Sequence, residues 1–325
     1  MKTINSLLFL LIFIFMTNCT KNEMNTVIYS PQRTLKVEFF LVNGTPYYKA
    51  FYKKEMIIDS SKLGLELKEF EYSAFTIDTI EHFSKNENWQ PAWGEKNQIQ
   101  NVFNEIKIRL TGKNANKLDV FFRAYDDGMA FRYHVPGHPE FDSVSIMNEQ
   151  SGFNFIEDHT CWWIPADYDC YEHLYSQTKI SEIDAAPYLE NTLAASGIKE
   201  QYAVNTPLTM KTATGLYLSI HEANLTNYAG MTLKLQKPGS TRLQCNLVPW
   251  PDGTKVKSAL PLYSPWRTVQ VSETASGLLT SDLILNLNEP CRIEDISWIE
   301  PMKYIGIWWG KKKKKHSWWG SHENH

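Results

Sequence analysis

Apolar and polar residues alternate with a period of two along most of this chain. Such alternation is typical of β-strands with one buried face. Helical periodicity is weak, and no capping box opens a long amphipathic run. The region from about residue 27 to 298 is therefore predicted to be all-β and antiparallel, with two stacked sheets. The alternating segments are 35–39, 46–52, 63–67, 101–110, 118–125, 129–136, 207–212, 215–222, 231–235, 243–248, 266–271 and 283–287.

Two short turns are expected to join successive strands into hairpins. Asn43-Gly44 has the residue types that a two-residue hairpin turn requires. Asp126-Asp127-Gly128 separates two alternating segments in the same way, and we expect Arg123 and Arg132 to form ion pairs with its aspartates. The polar stretch 68–88 shows no strand pattern and is expected to be mobile.

Composition narrows the functional classes. The 325 residues include 33 Lys and Arg against 36 Asp and Glu, so the charge balance gives no support for nucleic-acid binding. Aromatic residues make up 13% of the chain, with 11 Trp, and aromatic rings both fill β-sandwich cores and stack on sugars. The chain is long enough for one large β-domain or two ordinary ones.

The N-terminus has the features of an export signal. Lys2 precedes the apolar run 7–16, which is too short to span a membrane comfortably, so residues 1–18 are predicted to be a signal peptide. Met16 to Cys19 resembles a lipobox, although Asn18 stands where a small residue is usual, so lipidation of Cys19 and simple cleavage both stay open. A lipid on Cys19 would be the only expected contact with a membrane.

The other cysteines are Cys161, Cys170, Cys245 and Cys291. They form no CxxC pair, and a domain of this size does not need disulfides for stability, so buried free thiols and disulfides are both open. On the same grounds a zinc site is not expected.

A central stretch, 162–172, combines aromatic rings, a proline and several acids. Its carboxylates Asp167, Asp169 and Glu172 are hard oxygen donors of the kind that Ca²⁺ prefers, although the spacing is not that of an EF-hand. A loop of this composition suits a sugar-facing edge. The alternative is that the aromatic rings are core, the acids are solvated, and Pro165 ends a strand.

The end of the chain changes in character. Residues 301–309 form a nearly continuous apolar run, the pattern of a strand buried on both faces in a parallel sheet. The lysine run Lys311 to Lys315 and a short polar-aromatic tail follow, without any period.

Eight segments of the chain together resemble the N-terminal domain of glycoside hydrolase family 97. They occur in the family's order between about residues 27 and 310: 89–95, 104–105, 122–133, 163–169, 218–223, 265–267, 285–291 and 303–309.

The resemblance implies a galactose-mutarotase-like β-super-sandwich over residues 26–300, with 301–310 as the first strand of a (β/α)8 barrel. Family members are exo-acting α-glucosidases or α-galactosidases that cleave terminal α-linked sugars, are exported to the periplasm or outer membrane of Bacteroidetes-like Gram-negative bacteria, and use calcium. The position that matches Glu172 supplies one calcium ligand, and the barrel supplies the others. The paired carboxylates that glycoside hydrolysis needs lie in the barrel, so we predict no catalytic residue here and an inactive isolated chain.

The tail 311–325 departs from the family pattern. A slipped base in a long adenine run would account for it, so we expect a frameshifted or truncated N-terminal fragment, with a genuine basic tail as the alternative.

The sequence also contains candidate sugar-contacting residues and features of two alternative functions. Trp163, Asp167 and Asp169 are the candidates for contact with an α-linked oligosaccharide. An exported carbohydrate-binding domain acting alone would use Trp89, Trp93, Trp162 and Trp163 as a stacking platform. An aldose epimerase would need His221 and Glu222 in one pocket, but neighbours along a strand face opposite sides. The sequence gives no prediction of oligomeric state.

Overall fold

The computed structural model describes residues 26–189 and 198–303. The predicted signal peptide, Cys19, residues 304–310 of the predicted barrel strand and the tail 311–325 lie outside the described residues. Pro301 to Lys303 are described and have no regular secondary structure. Among the described helices, none has the length and apolar character needed to cross a membrane.

The described residues form β-strands joined by turns and loops, with two short α-helices near the end and three single 3-10 turns at Lys113–Ala115, Ile180–Glu182 and Ala186–Tyr188. The elements are β1 (Val27–Tyr29), β2 (Leu35–Val42), β3 (Thr45–Tyr52), β4 (Glu55–Lys62), β5 (Leu65–Leu67), β6 (Thr76–Trp89), β7 (Ile99–Thr111), β8 (Lys117–Tyr125), β9 (Gly128–Val135), β10 (Ser143–Glu149), β11 (Gly152–Asn154), β12 (Thr160–Trp163), β13 (Ser176–Lys179), β14 (Ala203–Asn205), β15 (Leu208–Lys211), β16 (Tyr217–Ala223), β17 (Met231–Leu235), β18 (Arg242–Leu247), β19 (Val256–Ala259), β20 (Leu262–Tyr263), β21 (Trp266–Ser272), α1 (Ala275–Thr280) and α2 (Leu283–Asn286).

The strands assemble into two large antiparallel sheets and one small one. The eight-stranded sheet has the order β1-β2-β3-β4-β11-β18-β17-β14, and the small sheet has the order β19-β10-β5. The ten-stranded sheet runs β13-β12-β15-β16-β21-β9-β8-β7-β6, with β20 paired to β9. The predicted all-β antiparallel sandwich is confirmed, with the small sheet as an addition.

Aromatic rings from both large sheets meet in the core between them. The ring centroid of Tyr48 in the eight-stranded sheet lies 5.7 Å from Phe122 and 5.2 Å from Phe131, both in the ten-stranded sheet. Phe131 also contacts Phe153 across the sheets at 6.0 Å. These tilted contacts combine large buried apolar areas with favourable ring geometry, so they fix how the two sheets face each other.

A second apolar cluster lies on the opposite face of the ten-stranded sheet. Phe103 and Trp266 project from that face, and Leu283 and Leu287 cover them. The prediction of a strand over 283–287 is therefore wrong, because residues 283–286 form helix α2. An apolar run this short fits a helix turn as well as a strand, and packing against Trp266 decides between them.

Two further predictions from the sequence are wrong, one for the stretch 68–88 and one for the partners of the two arginines. The stretch expected to be mobile contains β6, the edge strand of the ten-stranded sheet, which pairs with β7 along its whole length. Arg123 forms an ion pair with Glu105 at 2.6 Å and not with the turn aspartates. Arg132 stacks over Trp266 at 4.3 Å. Residues distant in sequence thus replace the local partners that were predicted.

Both predicted hairpin turns are confirmed. Asn43 and Gly44 join β2 to β3, and both have positive φ angles of 50° and 74°. A Cβ atom on Gly44 would lie 2.7 Å from the Cα of Ala74, so this position excludes a side chain on both conformational and steric grounds. The turn at 126–127 joins β8 to β9.

A buried charge cluster of Glu149, Glu222 and Arg267 links the small sheet to the ten-stranded sheet. Arg267 donates to both oxygens of Glu149 at 2.8 and 2.7 Å and to Glu222 at 2.5 Å. Ser151 and Tyr228 also donate to Glu149, at 2.8 and 2.9 Å. Every oxygen of Glu149 therefore has two donors, which compensates the cost of burying the charge.

The ionisation of Glu149 makes folding dependent on pH. Burial raises the pKa of this carboxyl, but the Arg267 charge and the hydrogen bonds lower it further, so the net shift is downward from 4.5. A lowered folded-state pKa adds stability above the unfolded-state pKa, and that stability is lost as the pH falls through the folded-state pKa.

We expect the urea midpoint to fall steeply on acidification below about pH 4.5. The variant Glu149→Gln should be less stable at neutral pH and should lose less stability over the same acid range. Urea titrations at several pH values measure both effects. Parallel pH profiles for the two proteins would show that Glu149 does not carry this dependence.

Candidate functional site

The central stretch singled out by the sequence folds as the 164–175 loop between β12 and β13. β12 belongs to the ten-stranded sheet and ends at Trp163. Two residues later, Pro165 forms a bridge with Val204 of β14, in the eight-stranded sheet. The loop is therefore attached to both large sheets at its start.

The inner side of the loop carries a hydrogen-bonded cluster. Oδ2 of Asp167 lies 2.9 Å from Nε2 of His173, and its Oδ1 accepts from the backbone N–H of Asp169 at 3.2 Å. Sγ of Cys170 accepts from the backbone N–H of Glu172 at 3.2 Å. Asp167, Cys170 and His173 are buried, with exposures of 1%, 8% and 8%. The cluster holds the loop in one conformation without help from solvent.

Asn205 ties this cluster to the eight-stranded sheet. Its side-chain amide donates to the carbonyl oxygens of Asp167 and Cys170 at 3.2 and 3.3 Å. A buried carbonyl oxygen left without a donor costs about 1–3 kcal/mol, so these two hydrogen bonds favour the observed loop conformation. Asn205 therefore stabilises the loop.

The outer side of the loop presents acids among large apolar side chains. Asp169 and Glu172 are exposed, and so are Tyr171, Leu174 and Tyr175. Although the Tyr171 side chain is exposed, partial desolvation of its phenol raises the pKa, and the Glu222 carboxylate raises it further. These five exposed residues form the outer rim of the loop. They combine carboxylates with exposed apolar side chains, as surfaces that contact a ligand or another domain do.

Glu172 fits the role of one calcium ligand better than the inner cluster does. Among the contacts within 26–189 and 198–303, no hydrogen bond or ion pair uses the Glu172 carboxylate. Ca²⁺ takes six to eight oxygen ligands, so the thiol and imidazole of the inner cluster do not suit it. Asp167 is already engaged with His173.

The predicted substrate residues are separated by the fold. Asp169 is exposed on the outer rim, whereas Asp167 is buried in the inner cluster. Trp163 is 2% exposed, and its indole N–H donates to Thr178 at 3.0 Å. Its ring packs in the core, so no face of it is open for stacking on a sugar.

The four tryptophans of the predicted stacking platform do not share a surface. Trp162 is half-buried on β12, and Trp93 is 63% exposed on a separate loop. Trp89 is the last residue of β6, and its indole N–H donates to Asn286 at 2.8 Å.

Trp89 does line a concavity of about 420 Å³ beside α2. Trp266, Arg123 and Arg132 form part of its wall. Nε of Arg132 is buried without a hydrogen-bond partner among the described residues, and burial lowers the pKa of its guanidinium. This concavity brings the half-buried Trp89 ring close to two guanidinium groups that cover the buried Trp266 ring, a grouping that no sequence pattern had indicated.

His221 and Glu222 do not form an acid–base pair. Glu222 is held by Arg267 and accepts from the backbone N–H of Met231 at 3.0 Å. Burial lowers the pKa of the His221 imidazole, whose Nδ1 has no hydrogen-bond partner in the described part of the chain. The arrangement gives no support for epimerase chemistry.

Sequence reasoning missed His173 and Asn205. The spacing of Asp167, Cys170 and His173, three residues apart in each step, was a local signal for His173. No local signal exists for Asn205, since only the fold brings it to the loop. All four cysteines in the described residues are free thiols, so the open choice between thiols and disulfides is resolved for them.

Comparison with known proteins identifies the family. A family model described as glycosyl-hydrolase 97 N-terminal matches residues 28–290. A retaining alpha-galactosidase of Bacteroides thetaiotaomicron is 27% identical over 242 residues, which cover 65% of this chain and 33% of that protein.

Solved structures agree with this assignment. A glycoside hydrolase family 97 enzyme from Pseudoalteromonas sp. strain K8, solved in complex with panose, superposes with a TM-score of 0.79 at 35% identity over 92% of this chain and 43% of that one. A beta-arabinopyranosidase shares the fold, with a TM-score of 0.71 at 20% identity over 82% of this chain and 43% of that one. The chain spans less than half the length of these relatives. It belongs to glycoside hydrolase family 97 and contains that family's N-terminal domain.

Proposed function

We propose that this chain is the β-sandwich domain that completes the sugar site of an exo-acting α-glycosidase, either an α-glucosidase or an α-galactosidase. In this proposal Glu172 supplies one ligand to a calcium ion, and a catalytic domain supplies the other ligands and the catalytic carboxylates. The observation that carries the proposal is the exposed carboxylate of Glu172, which has no hydrogen-bond or ion-pair partner among the described residues. The loop that carries it is held by the hydrogen bond between Asp167 and His173 on its inner side.

The surroundings of Glu172 support this role. Tyr171, Leu174 and Tyr175 expose large apolar surfaces on the same loop. Exposed apolar groups beside an unpaired acid suit the boundary between two domains, where a ligand is held by both. Relatives from Pseudoalteromonas sp. strain K8 were solved with panose and with acarbose, which supports an α-linked oligosaccharide as the ligand.

The export signal supports a location in the periplasm or at the outer membrane. The apolar run 7–16 after Lys2 would direct secretion, and a lipid on Cys19 would anchor the protein. An exported enzyme encounters carbohydrate polymers outside the cytoplasm, so this location is consistent with the proposed activity.

A domain exchange tests the proposal. In the Pseudoalteromonas enzyme, residues 26–303 of this chain would replace the corresponding domain, and hydrolysis of the host's own α-glycoside substrate would be measured against calcium concentration. We expect an active, calcium-dependent chimera. Glu172→Gln should lower kcat/KM at limiting calcium by roughly 100-fold, because removal of a ligand costs at least as much as loss of an outer partner of the metal.

The matched control is Glu157→Gln, since Glu157 is another exposed glutamate of the same domain. It should leave the calcium dependence unchanged. An inactive chimera would argue against completion of the site by this domain. An active chimera in which Glu172→Gln and Glu157→Gln behave alike would remove Glu172 from the metal site.

The concavity beside α2 supports a second candidate, a carbohydrate-binding domain that acts alone. Trp89 lines it with a half-buried ring, and the side chains of Arg123 and Arg132 form part of its wall. Binding of an α-linked oligosaccharide by the isolated chain, with loss of binding in Trp89→Ala and retention in Glu172→Gln, would favour this candidate over the first.

A further inference from the structure

We propose that Asp167, Cys170 and His173 form a binding site for one Zn²⁺ ion at the base of the 164–175 loop. An oxygen of Asp167, Sγ of Cys170 and a ring nitrogen of His173 all lie within 4.8 Å of one another. Each of the three residues is more than nine-tenths buried. A thiol, an imidazole and a carboxylate are therefore gathered in one enclosed place.

The donor set selects the kind of metal. Zn²⁺ binds thiolate, imidazole and carboxylate together, and three protein ligands with a water in the fourth position is a common arrangement. Ca²⁺ and Mg²⁺ prefer sites made of oxygen atoms, so they would not compete well for this site. The site is thus distinct in chemistry from the calcium ligand proposed at Glu172.

The distances require only a small adjustment. Tetrahedral bonds to zinc of about 2.0 Å for nitrogen or oxygen and about 2.3 Å for sulfur place these ligand atoms about 3.3–3.6 Å apart. A contraction of the widest separation by no more than about 1.3 Å, and a slight opening of the 2.9 Å contact between Asp167 and His173, would meet this geometry. His173 would bind as a neutral imidazole, with its one ring proton on the nitrogen that does not face Zn²⁺, and the Cys170 thiol proton would pass to solvent.

The surrounding backbone already has the features of an outer sphere around a metal. The N–H of Glu172 points at Sγ of Cys170, and the N–H of Asp169 points at Oδ1 of Asp167. Such donors orient ligands and stabilise a thiolate. Asn205 fixes the two ligand-bearing turns through the carbonyls of Asp167 and Cys170.

Titration with Co²⁺, which takes zinc sites and reports on them by colour, tests the proposal on the full chain. We expect tetrahedral d–d bands together with a thiolate-to-cobalt charge-transfer band, and displacement of both by Zn²⁺. Cys170→Ser should abolish the charge-transfer band, because a hydroxyl cannot replace the thiolate. His173→Asn should weaken Co²⁺ binding by more than about 100-fold, beyond the usual cost of losing an outer-sphere partner.

The control is Cys291→Ser, since Cys291 is the exposed thiol among the described cysteines. It should keep the full charge-transfer band, and the histidines of the C-terminal tail cannot produce a thiolate band. Zn²⁺ should also raise Tm of the parent chain and of Cys291→Ser, but not of Cys170→Ser.

Absence of the charge-transfer band in the folded parent chain, or its loss in Cys291→Ser instead of Cys170→Ser, would overturn the zinc site. Neither result would affect the calcium proposal, which is read from the calcium dependence of the Glu172 variant.

Discussion

Arg267→Met is expected to destabilise the protein by about 3–5 kcal/mol, which is the cost of leaving a buried charge without its partner. Arg267 is fully buried and donates to both oxygens of Glu149, which is itself buried. Methionine fills a similar volume but provides no donor. Urea unfolding of the full chain at neutral pH measures the loss.

Lys257→Met serves as the matched control, because Lys257 pairs with Asp252 at the surface, where both side chains are more than half exposed. We expect a change within about 1 kcal/mol for that variant. Adding Glu149→Leu to Arg267→Met should recover part of the loss, since it removes the more deeply buried of the two carboxylates that lose Arg267. Equal stability of Arg267→Met and Lys257→Met would mean that the buried charge cluster does not hold the sheets.

Trp163→Ala is expected to cost about 3–5 kcal/mol, the range for removing a large aromatic ring from a core. The ring of Trp163 is 2% exposed, and Thr178 accepts its N–H. Its loss would leave a cavity beneath the 164–175 loop and remove one hydrogen bond to Thr178. Thermal and urea unfolding would measure the destabilisation.

Trp93→Ala provides the comparison, because Trp93 is 63% exposed. Its stability should change by only about 0.5 kcal/mol, as is usual for surface substitutions. If Trp163→Ala were as stable as Trp93→Ala and yet lost sugar binding, Trp163 would have the substrate-contacting role that the sequence suggested.

The fold class was predictable because strands with one buried face carry a period-two pattern. β2 and β3 follow that pattern closely, and the Asn43-Gly44 turn between them contains the residues that a hairpin needs. β6 was missed because it is an edge strand with most side chains exposed, so burial imposed no alternation on it. α2 was misassigned because its short apolar run has no period of its own.

The candidate site was only partly predictable. The 164–175 loop stood out by composition, and Glu172 lies exposed on it. What composition cannot give is the direction of each side chain along an irregular loop. Asp167 turns inward and Asp169 outward, although only one residue separates them. The partners of Asp167 and Arg267 depend on chain reversals that no local pattern specifies.

The attachment of the 164–175 loop to both large sheets couples the site to the packing of the sandwich. Trp163 ends a strand of one sheet, and Pro165 bridges to Val204 in the other. A sliding of one sheet over the other would therefore stretch or compress the first residues of the loop and displace Glu172. Substitutions of core rings such as Phe131, which contacts Tyr48 of the opposite sheet, would on this basis change the position of the Glu172 carboxylate through sheet alignment alone.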